Sequence, residues 1–159
     1  LVGSEMCIRD RKGTVFGGIL KANSKQSKFV LSIRASDIFE IYRVSDDGIN
    51  RVYVSPFKHI PKTWKKGGGY AIDYNQSIGG IKNIAVSDDL ICFSLFLQNY
   101  NEAAKTDFAS NELFCFDWDG NKVKKYVLPF PIGNFCIDGT HIYGVRNFED
   151  KIIIYRFNM

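Results

Sequence analysis

The chain has 159 residues, of which 45% are hydrophobic, 14% aromatic and 24% charged, with a formal net charge of +4. This is the balance of a globular domain of ordinary size and excludes a disordered chain; so mild a basic excess is no argument for a nucleic-acid partner. No apolar run approaches the roughly 20 residues that a bilayer-crossing helix needs, so no membrane-spanning segment is expected.

Residues 1–11 read LVGSEMCIRDR, a string that resembles the translation of a transposase sequencing adapter. They are expected to be a non-native segment and are set aside, with Cys7, before the fold is argued over 12–159. The natural start then lies further upstream, and 12–159 is expected to be the C-terminal portion of a single domain.

A first unit spans about 14–56. It opens on an apolar–Gly–small–apolar element, Phe16-Gly17-Gly18-Ile19, followed by strand signals at Lys28 to Arg34 and Ile38 to Val44. A turn at Asp46-Asp47-Gly48 leads to a more polar strand, Asn50 to Ser55. Asp-Gly is a strong hairpin signal, because glycine accepts a positive φ without steric conflict. An insertion over 57–79 comes next, carrying Phe57, Lys58, His59, Lys62, Trp64, Lys65, Lys66, a run of three glycines from Gly67 to Gly69, and Tyr70.

The second unit, about 78–129, repeats the order. Ile78-Gly79-Gly80-Ile81 is followed by Leu90 to Leu97, an insertion over 99–111, Leu113 to Trp118, a turn at Asp119-Gly120-Asn121, and Lys122 to Leu128. The third, 132–159, has Ile132-Gly133-Asn134-Phe135, His141 to Arg146 and Ile152 to Phe157. The second and third strands of each unit are nearly continuous apolar runs, as expected where both faces of a sheet are covered. Four strands joined by tight hairpins, recurring in one order, predict an all-β fold: a partial β-propeller of two four-stranded blades and a three-stranded last blade, truncated at the N-terminus. A β-sandwich would explain the strands but not their recurring order.

Three cysteines remain, Cys92, Cys115 and Cys136, each in an apolar run. Their odd number and the lack of a C-x-x-C pair argue against a disulfide framework or a zinc site, so buried unpaired thiols are expected. His59 and His141 lack metal-site spacing. Asp117 to Asn121 has its glycine in the wrong place for a calcium loop and is expected to be a hairpin turn. Asn75-Gln76-Ser77 matches a glycosylation acceptor, a pattern too short to be specific. No nucleophile elbow, phosphate loop or dinucleotide fingerprint occurs, and no cofactor or metal is expected.

The segments Ser27 to Tyr42, Phe116 to Tyr126 and Phe135 to Tyr143 resemble the TolB-like six-bladed propellers of Bacteroides-type bacteria. The resemblance implies a place in the cell envelope or periplasm, a lipid anchor where present in an upstream segment, and no established reaction or transferable catalytic residues.

Strand alternation places the loops between second and third strands, and those between blades, on one side of the disc. Both long insertions fall there, and long loops on a rigid scaffold are where binding commonly resides. Lys62, Trp64, Lys65, Lys66 and Tyr70 are the candidate binding residues, since interleaved cations and aromatics suit an anionic or sugar-like ligand. The function expected is a non-catalytic envelope propeller that binds a glycan, peptide or protein. The alternative is a hydrolase or lyase with its site in the central channel, completed by blades upstream.

Overall fold

The computed structural model describes residues 17–159 apart from Ser24, Phe57, Gly68 and Asp150. The adapter-like segment 1–11 and residue Phe16 of the first glycine element lie outside the described residues. Strands β1 (Leu20–Asn23), β2 (Lys28–Ser32), β3 (Phe39–Ser45) and β4 (Gly48–Val54) form one antiparallel meander. A separate hairpin, β5 (Thr63–Lys66) with β6 (Gly69–Ile72), follows. The second meander comprises β7 (Ile78–Val86), β8 (Leu90–Asn99), β9 (Ser110–Asp117) and β10 (Lys122–Ile132). A short helix, α1 (Tyr100–Ala104), interrupts it between β8 and β9. The third sheet has three strands, β11 (Asn134–Ile137), β12 (His141–Phe148) and β13 (Lys151–Asn158).

The three sheets stack face to face, and two apolar layers fill the gaps. Val30, Phe39 and Ile41 of the first sheet pack against Ile81, Ile84, Ile91 and Phe93 of the second, with Trp118 at the end of the layer. The rings of Phe39, Phe93 and Phe116 lie 5.0–5.3 Å apart in this layer, the separation at which tilted aromatic pairs attract beyond their burial. The second layer joins Ala85, Leu113, Leu128 and Ile132 to Ile137 and Ile142 of the third sheet. Ile91, Cys92 and Phe93 are consecutive and all buried. Successive strand residues point to opposite faces, so the middle sheet is covered on both sides, the reason β8 reads as a nearly continuous apolar run.

The glycine elements mark where one sheet meets the next strand. Gly80 has φ +72°, and a Cβ there would stand 2.3 Å from the Ser36 backbone nitrogen of the first sheet's β2–β3 loop. The Ile81 N–H donates to the Ser36 carbonyl at 3.0 Å beside an Arg34–Gly80 bridge. Gly120 plays a similar part at the other end. Its φ is +88°, and a Cβ would meet the Tyr53 ring at 2.1 Å.

Two expectations need correction. Cys92 and Cys115 are not unpaired thiols: they stand directly opposite each other on β8 and β9 and form a disulfide, while Cys136 is free and exposed. Their separation of 23 residues hides a partnership that only the strand register creates. The insertions are also not bare loops. Trp64 and Tyr70, favourable strand residues, lie in a hairpin whose turn uses Gly67 at φ +54°, so part of the glycine run is turn chemistry.

Candidate functional site

Chain direction sorts the connections onto two sides. The turns at 25–27, 46–47, 87–89, 118–121 and 138–140 share one side, and the segments 33–38, 55–77 and 100–109 share the other. The first side is closed by short-range hydrogen bonding. Asp117 Oδ1 accepts from the N–H groups of Asp119 and Asn121 at 2.9 and 2.8 Å, a plain Asx-type turn. Burial works against the Asp117 carboxylate, but donors from Asn121, Asp119 and Gly120 together hold it below the usual carboxylate range. The buried Lys28 ammonium reaches the Trp118 carbonyl at 3.1 Å and Asp119 at 2.8 Å, tying β2 to the β9–β10 turn.

On the other side the two insertions lock together. The Tyr74 ring lies 4.2 Å from that of Tyr100, which meets Phe108 edge-on at 5.0 Å. The Asn99 and Asn101 side chains both donate to Asn75, each at 2.6 Å. The Tyr100 N–H donates to the Ser77 carbonyl at 2.9 Å. The start of the first insertion is pinned by Asp37, whose carboxylate accepts from the His59 N–H at 3.0 Å and contacts its Nδ1 at 2.9 Å. The Ser36 hydroxyl donates to the His59 carbonyl at 2.8 Å. Nothing in the sequence distance between Asp37 and His59 signals that pairing.

The candidate residues sit on this side but do not converge on one point. Lys62 precedes the hairpin, its N–H donating to Ser77 Oγ at 3.0 Å. Lys65 stands opposite Tyr70, and Trp64 opposite Ala71. Directly opposed residues share a sheet face and neighbours alternate, so Lys65 and Tyr70 lie on one face of the ribbon and Trp64 on the other. Trp64 is 49% exposed and Tyr70 42%. The two aromatics therefore cannot clamp one ring between them; each offers a separate stacking surface.

Two clefts open beside the locked insertions. One, of about 340 Å³, lies between the first two sheets and includes Arg34, Lys82 and Tyr100. The other, of about 480 Å³, lies between the second and third sheets and the 105–109 turn. Lys82 lines both. It occupies a register shift of β7, between the pairs Ile81–Leu95 and Asn83–Ser94, and bulges of this kind re-aim a side chain. Sequence reasoning missed Lys82 because register is invisible in one strand read alone. The one available signal was a lysine inside a largely apolar innermost strand.

A family model described as TolB-like 6-blade propeller-like matches residues 5–140. The chain belongs to this family. The matched span takes in the first two sheets and β11 of the TolB-like propeller's third, with the locked insertions and the smaller cleft. No curated protein matches the chain. Among solved structures, the crystal structure of Kluyvelomyces marxianus Hsv2 is similar at 14% identity and a TM-score of 0.43, over 88% of this chain and 35% of that one. The TolB-like propeller thus spans about a third of the Hsv2 chain.

The chemistry this face of the TolB-like propeller offers is charge, amides and aromatic surface. No group of three or more His, Cys, Asp or Glu that could hold a metal occurs among the described residues. No helix among them is long and apolar enough to cross a membrane. The Asp37–His59 pair has the geometry of an acid–base couple. Its hydrogen bonds, however, go to backbone groups that fix the insertion.

Proposed function

We propose that this TolB-like propeller is a non-catalytic protein of the bacterial envelope that binds a glycan, peptide or protein partner through its insertion-bearing face. The observation that carries this reading is the locking of two insertions from different parts of the chain, Tyr74 and Asn75 against Tyr100, Asn99 and Asn101. A pre-ordered surface loses less conformational entropy on binding than mobile loops would. The hairpin rising from it presents Trp64 and Tyr70 half exposed beside Lys62 and Lys65, residue types that recognise sugars and anionic groups by stacking and charge. Family membership supports the envelope location. So does the buried Cys92–Cys115 disulfide, because such bonds persist in oxidising compartments.

Surface plasmon resonance with separated envelope glycan and envelope protein fractions tests this. A Trp64→Ala, Lys65→Ala variant should bind the recognised fraction about tenfold more weakly, a loss of about 1.4 kcal/mol, with an unchanged melting curve. Because the two side chains lie on opposite faces of the ribbon, the single variants should each show part of the loss. Unchanged affinity in the double variant would remove the hairpin from the binding surface.

A further inference from the structure

The smaller cleft has a chemistry of its own, separate from the hairpin. The first sheet and the segment leading into it form one wall, and β7 with the first residue of α1 forms the other. Two cations, Arg34 and Lys82, line it, and no carboxylate does. Arg34 is held through its backbone: its N–H donates to the Gly17 carbonyl at 3.2 Å, and it bridges Gly80, two residues before Lys82. The Lys82 ammonium stands 4.1 Å over the Phe108 ring, and the Tyr100 ring meets the same Phe108 edge-on at 5.0 Å. Phe108 is itself fixed. Its φ of +52° is disfavoured for a non-glycine residue and persists where packing enforces it, here the buried cluster of Phe96, Ala103 and Phe108. One buried ring thus supports both the cation and the phenol.

Each polar side chain on these walls has a donor left over. Neither Arg34 nor Lys82 has a carboxylate partner among the described residues, and the ring beneath Lys82 attracts its charge without cancelling it. The Tyr100 hydroxyl has no hydrogen-bond partner among the described residues. Ser32 is 1% exposed, and its hydroxyl oxygen accepts from the Ile19 N–H at 3.2 Å, which leaves its proton to donate. Arginine and lysine donate and cannot accept, so the ligand must bring the acceptors. A carboxylate carries a single charge and leaves one of the two cations unanswered. A phosphate monoester brings about two negative charges and three acceptor oxygens on one group, and the guanidinium fork matches its geometry. Ile19, Ala35 and Ile81 give the cleft an apolar side for the esterified carbon. The volume of about 340 Å³ lies at the small end of the range of ligand sites.

We propose that this cleft binds a phosphate monoester, its phosphoryl group on Arg34 and Lys82 and its carbon side on the apolar wall. The site is independent of the hairpin reading above. Isothermal titration calorimetry of the chain with glycerol 3-phosphate tests it. Flotation with phosphatidylcholine vesicles containing phosphatidate separates a lipid-borne monoester from a soluble one. Saturable binding of at least one carrier is expected, with dimethyl phosphate, a monoanionic diester, competing at least tenfold less well. Binding should weaken at least tenfold in Arg34→Gln and at least fivefold in Lys82→Gln, and Lys82→Arg should retain it. It should stay unchanged in Lys105→Gln, whose side chain lines the other cleft, and in the Trp64→Ala, Lys65→Ala variant. Arg34 is exposed, so its variant keeps the test decisive if Lys82→Gln disturbs packing on Phe108. Binding of neither carrier overturns the proposal, as does binding that Arg34→Gln and Lys82→Gln both leave intact. Equal competition by dimethyl phosphate overturns it too, and so does a loss in Lys105→Gln, which would move the anion to the larger cleft. Failure here with the hairpin variant still weakened in envelope binding would sink this site and leave the function proposed above standing.

Discussion

Single carboxylates at the turns show how local hydrogen bonding fixes the blade ends. Asp138 accepts from the Thr140 N–H and hydroxyl, each at 2.8 Å, and from the His141 N–H at 2.7 Å. These donors, the Thr140 N–H foremost, hold its carboxyl well below the usual carboxylate range. A folded-state pKa below the unfolded value means the stabilisation is present above the unfolded value, about 3.9, and is lost as pH falls through the folded one. Asp138→Ala should therefore melt lower than the native chain at pH 7, with the gap narrowing as pH falls below 4. Thermal melts at pH 7, 5 and 3 check it, and a gap independent of pH would contradict it. Tyr42 shows the opposite direction. Burial first, and then the hydrogen bond its hydroxyl donates to Glu40, push it up to about 12.

The strands of the middle blade were the most legible in the sequence because both faces of that sheet are covered. Leu90 to Leu97 and Leu113 to Trp118 read as nearly continuous apolar runs. What escaped reading depends on pairs of residues rather than on runs. The Cys92–Cys115 bond needs the β8–β9 register, and the lysine at the bulge needs the β7–β8 register. The Asp37–His59 contact needs the first insertion to fold back over the β2–β3 loop. The hairpin at 63–72 was obscured because its glycine turn resembles a flexible run. The glycine elements were visible as a repeat, but their cause is structural contact. Gly80→Ala should destabilise the fold by about 2–4 kcal/mol, since it combines φ +72° with a backbone clash against Ser36. Urea unfolding measures this, and a change below 0.5 kcal/mol, the scale of ordinary surface substitutions, would show that the sheets do not meet there.

Across the whole molecule, the two outer surfaces of the stack are incompletely covered. Leu20, Val44 and Ile49 are exposed on the first sheet, on the face shared with Phe29 and Tyr42 by register. Ile152 and Ile154 are 74% and 70% exposed on β13, which among the described residues pairs with β12 alone. Exposed apolar strands at a sheet edge favour association, and a six-blade disc would bury such faces against neighbouring blades. The 159-residue chain is therefore expected to self-associate, and Ile152→Lys, Ile154→Lys to shift it toward monomer in light-scattering chromatography. A monomeric native chain would contradict this.

The insertion-bearing face is the centre of the account, and hydrogen-exchange mass spectrometry with and without the recognised envelope fraction tests it most directly. Protection on binding should concentrate in residues 59–77 and 100–109, with the turns at 87–89, 118–121 and 138–140 unchanged. Protection of those turns, with the insertions unaffected, would place binding on the opposite side and contradict the account.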